Sequence, residues 1–334
     1  MKAIIKSKKD IEDRKKLEDV IPLNTPFSIF IEPSDKCNFK CKFCPTSNLE
    51  LMKNTEGRNY GNMDFTLYKK VIDDICEFDE NIKMLHLYQH GEPLLNKNFA
   101  DMVQYAKKSC KINRIDTTTN GYLLTKELSM KIIESGLDRI NISIEGVDEY
   151  QYYQVSNTKI NFEKLVDNIT YFYNNKNKCE VSIKIPGNYL SENDKKNFYN
   201  IFGNICDFIF IENIAETWSE FKIDDININK NISIIGNKIE YISICPMIFY
   251  TMSINSNGTV SPCCADWKRK VIIGNVNEEK IKNIWNGKKL RDLQISFLEG
   301  KRKEHPFCSS CYSPIYNMTD NIDKYADTII KRYF

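Results

Sequence analysis

The chain has 334 residues, and 47 Lys plus Arg against 45 Asp plus Glu give a formal net charge of +2. That balance leaves no electrostatic footprint for nucleic acid, and no run approaches the roughly 20 apolar residues that span a bilayer. Twelve cysteines behind an N-terminus without an export signal lead to the expectation of a cytoplasmic protein whose sulfurs serve as thiols or metal ligands.

In chain order, residues 1–24 read as an N-terminal extension. The aromatic and β-branched run Phe27–Ile31 then reads as a strand. Directly after it come Cys37, Cys41 and Cys44, spaced by three residues and then two. Any disulfide among three thiols leaves one over. A mononuclear zinc site would want a fourth Cys or His close by, and the next cysteine, Cys76, falls in a predicted helix. Three sulfurs brought to one point, with a fourth position unfilled by protein, suit an iron–sulfur cluster with one open iron.

Strand-like and helix-like runs alternate downstream. The predicted strands are Met84–Tyr88, Ile112–Thr117, Arg139–Ile144, Val181–Ile185 and Phe208–Ile211. Between them lie apolar residues at helical spacing in Phe65–Phe78, Phe99–Lys108, Thr125–Ser135, Phe162–Tyr173 and Glu192–Phe202. With Phe27–Ile31 this makes six βα-type repeats, and hence an α/β fold with parallel strands. Ligands should gather at the C-terminal edge of such strands.

A polar, Asn-rich connecting segment, 213–243, precedes a second cysteine-bearing region, 244–315, and a tail, 316–334. In that region Met252-Ser253-Ile254 and Thr259-Val260-Ser261 flank the turn Asn255-Ser256-Asn257-Gly258, which predicts a hairpin. An amphipathic helix is expected from about Glu278 to Leu298, with Ile281, Ile284, Trp285, Leu290, Leu293 and Phe297 on its apolar side. A hairpin and one helix cannot build a large core, so a metal staple is expected. Cys76, Cys110, Cys179 and Cys206 read as core filler.

The Cys37-x3-Cys41-x2-Cys44 run, with Phe43 just before its last cysteine, resembles the signature of the radical S-adenosylmethionine (radical SAM) enzymes. The resemblance implies an incomplete TIM-like barrel of about six βα units, a partial (β/α)6 barrel over residues 25–212. It implies that Cys37, Cys41 and Cys44 hold a [4Fe–4S] cluster whose open iron is chelated by S-adenosylmethionine, which one electron cleaves to a 5′-deoxyadenosyl radical. His90-Gly91-Glu92-Pro93 resembles the family's Gly-Gly-Glu-Pro turn, Thr118-Thr119-Asn120-Gly121 its Thr-Asn-Gly segment, and Ser143-Ile144-Glu145-Gly146 a Ser-Leu-Asp-Gly pattern. By this likeness Phe43, Gly91, Glu92, Thr119, Asn120 and Ser143 bind the cofactor. Glu145 lies beside the reaction centre, as a hydrogen-bond acceptor or as the general base. The arginine that many relatives carry after this strand is missing from Tyr150-Gln151-Tyr152-Tyr153-Gln154-Val155.

The C-terminal region resembles the family's SPASM-type extension. Its cysteines Cys245, Cys263, Cys308 and Cys311 match the shortened, single-cluster arrangement called twitch. A second, auxiliary [4Fe–4S] cluster on these four is implied. Zinc stays open on spacing alone, as does exchange of Cys264 for Cys263. A fully ligated auxiliary cluster can take an electron without touching substrate. The expected function is therefore an oxidoreductase acting on a polar small molecule such as a sugar, cyclitol or amino sugar. A low-potential flavodoxin or ferredoxin would supply electrons. The alternative is a maturase of a ribosomally made peptide or protein, against which the short N-terminal extension weighs. Tyr88, His90, Lys184, Glu212, Glu216, Trp218 and Asp266 are further candidates for the barrel mouth.

Overall fold

In the computed structural model, residues 1–7, 15–109, 111–223, 228–317 and 320–334 are described. Their strands are β1 (Ile4–Ile5), β2 (Ser28–Ile31), β3 (Met84–His86), β4 (Ile115–Thr119), β5 (Arg139–Ser143), β6 (Glu180–Pro186), β7 (Phe208–Glu212), β8 (Thr251–Ile254), β9 (Thr259–Ser261) and β10 (Gly274–Asn275). They form one sheet in the order β1-β7-β6-β5-β4-β3-β2-β8-β9-β10. Pairing is parallel from β1 through β8 and antiparallel across β8-β9-β10. The two ends of this run are not hydrogen-bonded to each other. The barrel is thus open, as expected of a partial (β/α)6 barrel.

The six predicted βα units are present. Helices Phe99–Lys108 and Glu192–Phe202 match their predicted bounds, and Lys126–Ser135 begins after Thr125, whose side chain caps it by accepting from the Leu128 amide. Each presents a buried apolar side to the sheet, such as Phe99, Met102, Val103 and Ala106. Strand β2 is buried along its whole length, as parallel strands covered on both faces are.

Two pairings beyond the expectation extend the sheet on either side of the six repeats. The extension's Ile4–Ile5 pairs with β7, and β8, the first strand of the hairpin, pairs in parallel with β2. The hairpin Thr251–Ser261 forms as predicted, but it continues the barrel sheet. Parallel neighbours distant in the chain leave no local pattern to read.

The single helix expected over Glu278–Leu298 is instead two, Ile281–Trp285 and Lys288–Leu298. Gly287 caps the second in an extended conformation, and a Cβ there would meet the Asn283 carbonyl at 2.8 Å. Trp285 Nε1 donates to the Leu23 carbonyl at 2.8 Å and so ties this helix to the segment ahead of β2. A helix not foreseen, Glu149–Ser156, follows β5 and is capped by Asp148. Among the cysteines read as filler, Cys179 and Cys206 are buried, whereas Cys76 is exposed at the end of the helix Phe65–Ile75, with its sulfur 3.2 Å from Ser109 Oγ. Cys110 lies outside the described residues. No helix among the described residues is long and apolar enough to cross a membrane.

Candidate active site

The loop after β2 carries Cys37, Cys41 and Cys44 at the C-terminal edge of the sheet. Buried Phe39 anchors it against the rings of Tyr122 and Tyr152, and its amide donates to Cys37 Sγ at 3.4 Å. The Cys44 amide closes a turn on the Cys41 carbonyl at 2.9 Å. Burial pushes all three thiols up, and Glu92 raises Cys37 further while Glu145 raises Cys41 and Cys44. Buried sulfurs with carboxylates for neighbours are poor thiolates until a cation arrives, the setting that a soft metal centre relieves.

The turn after β3 fits into this loop. A Cβ on Gly91 would lie 2.2 Å from the Ser34 carbonyl and 2.5 Å from that of Lys36, so only glycine permits the approach. Glu92 donates its amide to the Lys36 carbonyl at 2.7 Å. Its carboxylate accepts from Thr119 Oγ1 at 2.6 Å, the Asn120 amide at 2.8 Å and the Leu94 amide at 3.0 Å. Both of its oxygens are therefore occupied by protein donors. Burial raises Glu92 to about 7, with the Thr119, Asn120 and Leu94 hydrogen bonds opposing. Asn120 in turn donates from Nδ2 to Asn38 Oδ1 at 2.8 Å. The ends of β3 and β4 are thereby bound to the cysteine loop: Glu92, Thr119 and Asn120 build the cradle that the sequence likeness placed at the cofactor.

Glu145, just past β5, is buried and is placed against the Cys41 thiol. Burial raises it to about 7, Lys184 opposing and Glu212 adding. Its Oε2 has no hydrogen-bond partner. Ser143 is the register partner of Lys184, and the Lys184 ammonium pairs with Glu212. Phe43 lies in the cysteine loop and is half-buried.

Behind the loop sits a charged network that sequence reasoning missed. Glu32 accepts from Arg269 Nη2 at 2.6 Å and from the Ser256 amide at 3.1 Å. The same Arg269 atom is 3.0 Å from Asp35, which also pairs with Arg58. All four side chains are fully buried. Burial raises Glu32, yet Arg269, His90 and Arg58 hold it well below the usual carboxylate range. Burial lowers Arg58 to about 10. His90, in place of the family's first glycine, turns Nδ1 to Glu32 at 3.3 Å and packs on Trp218. Glu32 and Asp35 precede Cys37, whereas Arg269 follows Cys264. The network thus fastens the two cysteine regions together.

The second cysteine set converges as well. Cys245, Cys263, Cys308 and Cys311 line one small pocket with Pro262, Asp266 and Arg302. Burial raises Cys263, and Cys245, Cys264, Cys308 and Cys311 add to it; Cys245 is raised to about 12 by burial and by Cys311. Arg302, also unforeseen, donates from Nη1 to the carbonyls of Cys308 at 2.8 Å and Cys311 at 3.2 Å, and from Nε to that of Ser243 at 2.6 Å. Asp266, considered for the barrel mouth, lines this pocket instead. It accepts from the amides of Lys270 at 2.9 Å and Val271 at 2.8 Å, a structural role. Among the described residues no three Cys, His, Asp or Glu side chains gather closely enough to hold a single ion.

The barrel holds a lumen of about 550 Å³, open to solvent. Phe30, Tyr88, Trp218 and Tyr250 give it aromatic walls, and His86, Asp116, Arg139, Lys184 and Glu212 give it polar ones. Cys264 lines this lumen, whereas Cys263 lines the small pocket. Glu145 and Glu216 do not line it; Glu216 pairs with Lys230 at 3.2 Å.

The radical SAM superfamily matches over residues 31–196 and the SPASM iron–sulfur cluster-binding domain over 245–312. The chain belongs to the radical SAM superfamily and carries a SPASM domain, and the cofactors of this family are S-adenosylmethionine and [4Fe–4S] clusters. The GTP 3′,8-cyclase of Staphylococcus haemolyticus is 28% identical over 151 residues, which is 42% of this chain and 40% of that protein. The chain therefore spans well under two thirds of the length of the curated relatives it matches. Among solved structures, BtrN in complex with AdoMet and 2-DOIA aligns with TM-score 0.55 at 21% identity, covering 89% of this chain and 95% of BtrN. SuiB of Streptococcus suis, bound to precursor peptide SuiA, aligns with TM-score 0.62 at 18% identity, covering 82% and 67% of the two chains. These likenesses concern the fold.

Proposed function

We propose that this chain is a radical SAM oxidoreductase that oxidises a polar, hydroxyl- or amine-bearing small molecule. The observation that carries the reading is a cavity of about 550 Å³ lined by inward residues of strands β2 to β7 together with Cys264, the neighbour of the auxiliary-pocket residue Cys263. That volume is in the range of small-molecule sites, and its mixed aromatic and charged wall suits a polyhydroxylated ligand. Cys37, Cys41 and Cys44 would hold the cluster that binds S-adenosylmethionine. Cys245, Cys263, Cys308 and Cys311 would hold the auxiliary one. When bound, these groups supply a 5′-deoxyadenosyl radical and an electron sink.

The protein's own part is positional. Gly91 lets the β3 turn meet the cysteine loop, and Glu92 fixes Thr119 and Asn120 where the cofactor would lie. Ser143 and Glu145 face the same edge from β5. Glu145 sits against Cys41 and outside the lumen, which supports a cofactor-side role. Arg302 holds the carbonyls of two auxiliary ligands. A flavodoxin or ferredoxin is the proposed electron donor, and a reducing cytoplasm suits eleven free cysteines among the described residues.

The test is anaerobic reconstitution followed by a screen of sugars, cyclitols, amino sugars and peptides. Formation of 5′-deoxyadenosine matched by a carbonyl product from a hydroxyl compound supports the reading. Turnover of peptides alone overturns it.

A further inference from the structure

We infer that His86 and Asp116 form a proton-accepting dyad on the wall of the lumen, and that the substrate presents a hydroxyl group to it. The inference rests on the oxidoreductase reading above and names the base it requires.

His86 on β3 and Asp116 on β4 are register partners, with Nδ1 and Oδ1 2.5 Å apart. Asp116 thereby holds one ring nitrogen, which leaves Nε2 as the nitrogen to meet a ligand. The ring is fixed from two sides. It stacks on Phe30 at 4.2 Å between centroids and meets Tyr88 edge-on at 5.6 Å. The other oxygen of Asp116 faces Asn141 Nδ2 at 3.4 Å, and that amide also donates to the Thr117 carbonyl at 2.9 Å. The chain Asn141–Asp116–His86 therefore crosses three adjacent strands and ends at the cavity. Its members grow less buried in that order, from Asn141 and Asp116 to a His86 side chain that is 18% exposed. A buried carboxylate orienting an imidazole whose far side is open is the arrangement of a general base.

Several other titratable groups of the lumen are engaged, while Lys15 and Lys83 also line it, Lys83 over the Phe27 ring at 3.4 Å. Lys184 and Glu212 neutralise each other. Arg139 is bound to Glu180 at 2.7 Å. Of the chain's three histidines, His90 is buried on Glu32, and His305 Nδ1 accepts from the Cys308 amide at 3.1 Å. His86 is the histidine that lines the lumen.

The chemistry balances as follows. The carbinol C–H bond breaks homolytically, its hydrogen atom going to the 5′-deoxyadenosyl radical that bound S-adenosylmethionine, once reduced by the external electron donor, would supply. The O–H bond breaks heterolytically, and its proton goes to His86 Nε2. C=O forms as the remaining electron leaves for the sink that an auxiliary iron–sulfur cluster on Cys245, Cys263, Cys308 and Cys311 would supply.

The experiment compares reconstituted wild type with His86→Gln and Asp116→Asn, using the hydroxyl compound that the wild type turns over. Iron content must match wild type in both variants. Carbonyl product should fall about a hundredfold, as loss of a general base does, while 5′-deoxyadenosine still forms within a few-fold of wild type. A readout independent of turnover is modification by diethyl pyrocarbonate, followed by peptide mass spectrometry. His86 should react, and the hydroxyl compound should protect it. Wild-type product formation by His86→Gln, or equal loss of product and 5′-deoxyadenosine, overturns the dyad and leaves the oxidoreductase reading standing. A wild type that oxidises only amine-bearing compounds overturns the dyad, and one that oxidises no small molecule overturns both. If His86→Gln does not hold iron, Asp116→Asn and the protection measurement decide.

Discussion

Cys263 and Cys264 are adjacent in the chain, yet the first lines the auxiliary pocket and the second lines the barrel lumen. They lie in the bend and turn that follow β9, which ends at Ser261, and there the chain leaves the strand with the two side chains directed into different cavities. This lining supports Cys263, over Cys264, as the fourth proposed auxiliary ligand. Cys264→Ala should keep the wild-type iron content, whereas Cys263→Ala should lose about four of eight irons on the stoichiometry of two [4Fe–4S] clusters. Iron analysis of anaerobically purified variants checks this, and the reverse pattern would exchange the two roles.

Replacing Cys37, Cys41 and Cys44 together with Ala should leave about half the iron and abolish cleavage of S-adenosylmethionine. Replacing Cys308 and Cys311 should do the opposite. Some uncoupled cleavage survives, substrate oxidation does not, and the C-terminal region becomes protease-sensitive because metal binding there is coupled to folding. Full turnover by a soluble double variant would remove the electron-acceptor role.

Glu145→Gln reports on the cofactor side. The carboxylate is buried against Cys41 and lies off the lumen. The variant should weaken S-adenosylmethionine binding by about tenfold, the worth of one hydrogen bond to a charged group, with the ratio of product to 5′-deoxyadenosine unchanged. A collapse of that ratio at saturating cofactor would make Glu145 the base.

Arg269→Met should be among the most destabilising single changes. It leaves Glu32 and Asp35 buried with a lone Arg58 for compensation, and breaking such a network costs about 3–5 kcal/mol. Urea unfolding of the cluster-loaded protein measures it. A loss below about 1 kcal/mol would mean that water enters to replace the guanidinium.

Gly91→Ala tests the close approach of two loops. The added carbon would lie 2.2 Å from a backbone carbonyl, which cannot rotate away as a side chain can. Overpacking of this kind costs about 1–3 kcal/mol. Because the displaced loop carries Cys37, binding of S-adenosylmethionine, followed by calorimetry, should weaken more than global stability does. Unaltered binding would show that the cradle tolerates the shift.

Much of this protein is legible in its sequence because the signals are local. The three-two spacing of Cys37, Cys41 and Cys44, the period-3.6 helices between β-branched runs, and the Asn-Gly hairpin each arise within a few residues of backbone geometry. What only the tertiary structure decided depends on residues far apart in the chain. The pairing of β8 with β2 joins positions about two hundred residues apart, as Ser28 with Thr251 shows. The Glu32–Arg269 pair, the grip of Arg302 on two cysteine carbonyls and the split of Cys263 from Cys264 arise in the same way. So does the His86–Asp116 contact, for a parallel register brings two strand residues together with no trace in either segment. Periodicity shows which face a side chain occupies, but the sheet register alone determines which partner it meets there.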